Sequence, residues 1–229
     1  MEFQNYWYLL ILLLLAGLTL FLFIKKSIVF IMELKYMLPA IIFSGAIFIM
    51  LNIRFLQSGI ISFNENFLIG KNILGLPFEE WLFLLVISLF AFSVYILVTV
   101  RFERFEKPNL FYVVSILLLM GFAYEAWFER QKLVPFFVFF LLSIYFGYTL
   151  FRNRFKPHLT KFYISYFIVV IPFFLIKIVL NTLPVILYNN DFTLGIRLVG
   201  VPVEQFANLF LLMLINITIF EYLRDNQLY

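Results

Sequence analysis

The sequence contains no cysteine and a single histidine, His158, and these shortages restrict the chemistry open to the protein. Without cysteine there are no disulfides and no thiolate nucleophile. Because His158 stands alone in a basic loop, the sequence predicts no metal site. A glycine-rich fingerprint for dinucleotides or phosphates is also absent. Thiol-dependent enzymes and the common nucleotide-binding enzymes are therefore excluded.

Charge is scarce too. Only 13% of the 229 residues are charged, whereas 64% are hydrophobic, including 33 phenylalanines; a typical soluble domain has about 25% charged residues. A soluble chain of this length could not hide so much apolar surface, so its solvent must be lipid. The basic residues flank apolar runs and form no patch, so the net charge of +4 does not indicate nucleic-acid binding.

What the chain has in abundance is long apolar segments. A membrane-spanning helix needs about 20 mostly apolar residues. Seven segments qualify, at residues 6–24, 36–53, 77–99, 108–127, 134–151, 162–181 and 201–222. We therefore predict an all-α integral membrane protein with seven transmembrane helices.

The distribution of basic residues between the connecting loops predicts the orientation. One side of the membrane would carry Lys25, Lys26, Lys35, Arg101, Arg104, Lys107, Arg152, Arg154, Lys156, Lys161 and Arg224. The other side would carry Arg54, Lys71, Arg130, Lys132 and Arg197, with Lys177 near it. Cytoplasmic loops are enriched in lysine and arginine. The first side is therefore expected to be cytoplasmic, which places the C-terminus inside and the N-terminus outside.

A polar stretch occurs twice, at residues 63–80 and again, 125 positions later and without a gap, at residues 188–205. The shared positions are Asn64 and Asn189, Gly70 and Gly195, Gly75 and Gly200, Pro77 and Pro202, and Glu79 and Glu204. Each copy leads into a long apolar span, and the two spans are four crossings apart. The copies therefore point the same way across the membrane, and both loops are expected on the external side.

This duplication predicts two parallel three-helix repeats joined by a central helix. We assign residues 1–107 to the first repeat, 108–133 to the linking span and 134–229 to the second repeat. A pseudo-two-fold axis along the membrane normal would bring Glu79 and Glu204 to mirrored positions around one central site.

The candidate catalytic residues are Glu79, Glu80 and Glu204. Carboxyl groups at the edge of the hydrocarbon are rare and usually functional. Glu79 and Glu80 point about 100° apart on a helix, so we predict that Glu79 works with Glu204 while Glu80 and Gln205 flank them. Two ordinary helix starts are the alternative, since proline at the first position and glutamate in the first turn both favour helix initiation.

Other polar residues could support a site built around these carboxyl groups. The candidates are Asn52, Asn64, Lys177, Asn189, Arg197, Gln205 and Asn216. Lys177 interrupts an apolar span and corresponds to Asn52 in the first copy. It either extends its amine to the interface or pairs with one of the glutamates.

At residues 180–205 and 214–223, and more weakly at residues 63–80, the chain resembles the membrane-integral lycopene β-cyclases, in their fused two-domain form. The resemblance covers nearly the whole chain. It implies carotenoid biosynthesis, in which an acid protonates a terminal alkene of lycopene, the neighbouring double bond closes the ring and a base removes a proton. This is an isomerisation of an apolar polyene dissolved in the bilayer of a bacterial or archaeal cytoplasmic membrane.

The chain departs from this family at several positions. The family usually has an aspartate where Asn52 stands and an asparagine where Lys177 stands. A tryptophan is replaced by Ile61, the second acid of the second motif by Gln205, and an aromatic residue by Asn208. A paralogue that acts on another terpenoid end group, or an inactive partner subunit, is therefore an alternative to a standard cyclase.

Two readings from other classes also stay open. Some small-solute transporters also consist of two three-helix repeats joined by one helix, although these carry more polar residues at mid-membrane. A non-catalytic carotenoid-binding subunit would bind pigment and leave it unchanged. The sequence indicates no cofactor and leaves open both a flavin requirement and a homo- or hetero-oligomer.

Overall fold

The computed structural model describes residues 3–25 and 27–225, and within them seven helices are long and apolar enough to cross a membrane. They are α1 (Trp7–Lys25), α2 (Ser27–Gln57), α3 (Phe78–Arg101), α4 (Pro108–Phe128), α5 (Leu133–Phe151), α6 (Leu159–Thr182) and α7 (Glu204–Asp225). The predicted all-α membrane architecture is confirmed. Lys26, one of the residues used for the orientation, lies outside the described residues, as do positions 1–2 and 226–229 of the predicted repeats.

Helix α2 is longer than the sequence predicted. It begins at Ser27, whereas we expected residues 25–35 to form a connector. Residues 25–35 lie between the predicted apolar segments 6–24 and 36–53, but a helix can continue where it projects beyond the hydrocarbon. At about 1.5 Å per residue, the 31 residues of α2 extend well past a hydrocarbon core of about 30 Å.

The seven helices form two three-helix repeats, α1–α3 and α5–α7, joined by α4. The central helices are α3 and α7. In the most apolar 18-residue segment of each, 72% (α3) and 67% (α7) is buried inside the protein. Only 11% of the corresponding segment of α4 is buried, so α4 lies at the periphery and faces lipid. The boundaries assigned at residues 107 and 133 stay a prediction.

Aromatic rings in edge-to-face and tilted contact hold α4, α5 and α6 against α7. Phe210 of α7 lies at the centre of this cluster. Its ring centroid is 5.0–6.1 Å from the centroids of Phe122, Phe146, Phe162, Tyr163 and Tyr166. Most of these contacts are tilted or edge-to-face, the arrangements that aromatic quadrupoles favour. Many of the aromatic side chains therefore serve packing.

Two short strands join the repeated loops at one end of the bundle. Strand β1 (Ile61–Phe63) pairs antiparallel with β4 (Ile186–Tyr188), with Ser62 opposite Leu187. These two residues are 125 positions apart, so the pseudo-two-fold axis passes between them. Each loop also forms its own hairpin, β2 (Asn72–Ile73) with β3 (Leu76–Pro77) and β5 (Arg197–Leu198) with β6 (Val201–Pro202).

Candidate active site

The hairpin of each loop turns through two residues with positive φ. These are Leu74 (52°) and Gly75 (85°) in the first loop, and Val199 (47°) and Gly200 (81°) in the second. Two consecutive positive φ angles are typical of the type I′ turn of tight hairpins. A Cβ atom on Gly200 would also lie 2.2 Å from Nδ2 of Asn181, so the Asn181 side chain would have to move to accommodate any other residue.

Asn64 and Asn189 perform the same structural task in the two loops. The side-chain oxygen of Asn64 accepts a hydrogen bond from the backbone N–H of Asn66 (3.2 Å), and that of Asn189 accepts one from Asp191 (3.0 Å). Each bond caps a short 3₁₀ turn, in the manner of a helix N-cap. Arg197 also binds its own loop, because its guanidinium group donates to the carbonyl oxygens of Tyr188 and Gly200.

Glu79 and Glu204 also occupy equivalent positions. Both are fully buried. One carboxyl oxygen of Glu79 accepts the N–H of Ile69 at 2.7 Å, and one of Glu204 accepts the N–H of Leu194 at 2.5 Å. The second oxygen of each has no hydrogen-bond partner among the described residues. Each glutamate thus ties the start of its helix to the loop that precedes it.

A cavity of about 70 Å³ lies beside the paired strands, on the pseudo-two-fold axis. Many of its lining residues are repeat equivalents, including Asn52 with Lys177, Glu80 with Gln205, and Phe83 with Asn208. Glu204 and Pro202 line it as well, whereas Glu79 does not. The structure therefore brings Glu80, rather than Glu79, to the same cavity as Glu204.

Glu80 has hydrogen-bond donors on both carboxyl oxygens. The hydroxyl of Tyr8 donates to one oxygen at 2.5 Å, and the amide of Asn52 donates to the other at 3.4 Å. Tyr8 lies in an otherwise apolar helix and corresponds to Leu133 in the second repeat. The equivalent residue in the second repeat is apolar, so comparison of the two repeats gave no reason to select Tyr8 as a site residue.

Lys177 is buried and extends into this cavity. Its ammonium nitrogen lies 4.5 Å from the ring centroid of Phe83 and 5.7 Å from that of Phe173. It also interacts electrostatically with Glu80. Lys177 lines the cavity together with Glu80, but among the described residues it forms no ion pair with a carboxylate, so pairing with a glutamate stays a prediction.

Tyr188 is a second residue that the sequence analysis missed. It belongs to strand β4 and lines the cavity with Glu80 and Glu204. Burial raises the pKa of its hydroxyl, and the neighbouring Glu80 carboxylate raises it further. Tyr188 therefore keeps its proton, and it lines the same cavity as both carboxyl groups. Its repeat equivalent is Phe63, which shares the aromatic ring but lacks the hydroxyl.

Asn216 has a different environment from the cavity residues. Its side-chain oxygen accepts a hydrogen bond from Ser44 of α2 at 2.7 Å, and its amide donates to Ser88 of α3 at 3.1 Å. It is not among the residues that line the cavity. Its contacts connect three helices in the core, which is a structural role.

These features define a class: an integral membrane protein built by duplication, with buried carboxyl groups around an apolar cavity on its internal symmetry axis. Residues 5–98 and 131–223 match the family model described as lycopene cyclase, and the chain belongs to that family. No curated protein and no solved structure matches the chain.

Proposed function

We propose that the protein cyclises the linear end group of lycopene, or of a closely related polyene, by acid catalysis within the membrane, with Glu204 as proton donor and Glu80 as the carboxylate partner. The proposal rests on membership of the lycopene cyclase family. The observation that carries it is that two buried carboxyl groups with unlike hydrogen-bond environments line one cavity.

Glu204 is suited to donate the proton. One of its oxygens is held by the N–H of Leu194, which fixes the carboxyl group, and the other has no partner among the described residues. A proton on that second oxygen would be held by no other group in the part of the chain that the structure describes, and it could be transferred to a substrate double bond once the cavity opens to admit one. Since Glu204 is fully buried, water would not compete for it.

Glu80 is suited to the opposite role. A carboxylate only accepts hydrogen bonds, and Tyr8 and Asn52 supply donors to both of its oxygens. An ionised Glu80 would stabilise the carbocation formed by protonation. It would then accept the proton lost from the new ring. One proton is added and one removed, so substrate and product are isomers and no redox cofactor is needed for balance.

The position of the cavity supports an end group as the reacting part. At about 70 Å³ the cavity is smaller than the roughly 150 Å³ that holds one benzene, so the surrounding side chains would have to move apart to admit one end of a polyene. Aromatic rings such as Phe83 and Phe173 could hold a cation through their π faces. The rest of the chain would extend into the bilayer, which dissolves such a substrate.

Expression in cells that accumulate lycopene tests the proposal. Glu204→Gln and Glu80→Gln should each reduce cyclic carotene at least 100-fold, because each removes an acid or a base worth about 10²–10⁴ in rate. Glutamine at 204 still accepts the N–H of Leu194, so the loop should hold. The product is measured by chromatography, with protein levels checked by immunoblot.

The variant Glu79→Gln distinguishes a catalytic pair of Glu80 and Glu204 from a catalytic pair of Glu79 and Glu204. A glutamine oxygen can still accept the N–H of Ile69, so this variant should keep most of the activity. Glu65→Gln, an exposed change in the same loop, serves as the expression control. If Glu79→Gln is inactive while Glu80→Gln is active, the catalytic pair is Glu79 and Glu204. If pigment binds the wild type and is unchanged, the protein is a carotenoid-binding subunit.

A further inference from the structure

A second cavity, of about 330 Å³, lies at the end of the bundle opposite the paired loops. Its lining includes His158, Glu221 and Asp225. Glu221 and Asp225 are four residues apart on α7, so their side chains share one face of its last turn. His158 comes from the segment between α5 and α6. Two elements distant in sequence thus supply one nitrogen ligand and two carboxylates.

The geometry of these three side chains suits a metal ion. One potential ligand atom from each lies within 4.8 Å of the other two. An ion at the centre of such a triangle is less than about 3 Å from each atom, so small rotations reach the usual 2.0–2.2 Å for zinc bound by nitrogen and oxygen. Nδ1 of His158 lies 3.5 Å from an oxygen of Glu221, and Nε2 lies 3.8 Å from an oxygen of Asp225.

The buried surroundings of Glu221 provide a second observation. Glu221 is only 2% exposed. One oxygen accepts a hydrogen bond from Tyr95 at 2.6 Å. The other is ion-paired with Nη2 of Arg224 at 2.5 Å, so an incoming ion would have to displace Arg224. The hydroxyl oxygen of Tyr95 also lies 3.4 Å from Nδ1 of His158. Hydrogen bonds of this kind orient the side chains that bind a metal.

We propose that His158, Glu221 and Asp225 bind one divalent transition-metal ion, at a site separate from the Glu80 and Glu204 cavity. One imidazole and two carboxylates match the ligands of Zn²⁺ or Mn²⁺, and three protein ligands leave a position open toward the cavity. Mg²⁺ prefers oxygen ligands and retains its waters, so it should bind far more weakly.

The charges around the site make the proposal selective. Arg152 and Arg154 also line the cavity, so general attraction of cations does not favour binding there. Arg224 competes directly for Glu221 and must swing away when an ion binds; its side chain is 29% exposed, which leaves it room to do so. Only coordination by the three ligands can overcome this competition.

Titration calorimetry of the purified, tag-free protein in detergent tests the site, with ZnCl₂ as the probe and MgCl₂ for comparison. We expect one Zn²⁺ per chain, with an affinity at least tenfold lower in His158→Gln and in Asp225→Asn. Arg224→Gln should bind Zn²⁺ several-fold more tightly because the competing cation is removed. A purely structural ion-pair network would not produce that gain.

Glu106→Gln, a change of an exposed acid in the loop between α3 and α4, is the matched control and should leave the affinity unchanged. Size-exclusion chromatography checks that each variant is folded, and Asp225→Asn is the most tolerant change because Asp225 is more than half exposed. The proposal is overturned if Zn²⁺ binds no better than Mg²⁺. It is equally overturned if stoichiometric Zn²⁺ binding survives in folded His158→Gln and Asp225→Asn.

Discussion

Lys177 places a positive charge over the aromatic rings of the cavity. Its nitrogen lies 4.5 Å from the centroid of Phe83 and 5.7 Å from that of Phe173. A carbocation formed in the cavity would need the same ring faces and the same carboxylate, Glu80. Lysine at this position therefore opposes the chemistry proposed for the site, whereas a neutral residue would leave Glu80 facing the developing cation.

Replacing Lys177 by asparagine should therefore increase activity. Desolvated cation–π contacts are worth about 2 kcal/mol, so relief of this competition corresponds to a gain of roughly tenfold or more in the rate of cyclisation. The measurement is the initial rate of cyclic carotene formation in membranes supplied with lycopene. Lower activity in a well-folded Lys177→Asn protein would mean that the amine assists catalysis.

At the residue scale, the sequence analysis singled out three glutamates and predicted that Glu79 works with Glu204, an assignment that stays a prediction. Repeat symmetry favoured that pair because the two positions are equivalent. In the structure, both equivalent glutamates bind their own loops, and the cavity combines Glu204 with Glu80. Helical geometry indicates that Glu79 and Glu80 diverge by about 100°, but only the packing of α3 determines which one faces inward.

The hairpins are the elements that set the position of each helix start. In the second loop the turn places Val199 at a φ of 47°, a conformation that β-branched residues rarely adopt. Leu74 has the same conformation in the first loop. The recurrence of positive φ at both copies shows that the turn geometry is required by the loop.

Val199→Asn should stabilise the protein. Asparagine followed by glycine is the preferred pair in a type I′ turn, and relief of a left-handed conformation is worth about 1 kcal/mol. We expect the apparent unfolding temperature in detergent to rise by a few degrees, measured by tryptophan fluorescence. Gly200→Ala should lower it, since its Cβ would lie 2.2 Å from Asn181. A fall with Val199→Asn would contradict the turn assignment.

At the scale of elements, hydropathy located six of the seven helices to within three residues at each end, because an apolar run of sufficient length has few alternatives in a bilayer. The start of α2 differed by nine residues. Hydropathy reports the part of a helix inside the hydrocarbon, and α2 continues beyond it.

The whole molecule is organised by its duplication, which directs both polar loops to one end. The positive-inside rule predicts that this end is external and that the opposite end, with His158, is cytoplasmic. The absence of cysteine makes this prediction simple to test, since a single introduced thiol is the only reactive one.

Asn66→Cys, in the loop between α2 and α3, should react with a membrane-impermeant maleimide in intact cells. Glu103→Cys, between α3 and α4, should react only after the membrane is opened. Both residues are exposed at opposite ends of the bundle, so they control for each other. The reverse labelling pattern would invert the topology and place the Zn²⁺ site outside.

The sequence by itself determined the seven helices, the parallel repeats and the polar loops that begin α3 and α7, because these follow from apolar length and from internal similarity. Tertiary structure alone decided that Glu80 shares a cavity with Glu204, that Tyr8 and Asn52 donate hydrogen bonds to Glu80, and that His158 meets Glu221 and Asp225. Such contacts depend on the rotation of each helix about its axis and on which helices are neighbours. Hydropathy and repeat spacing leave both of these properties undefined.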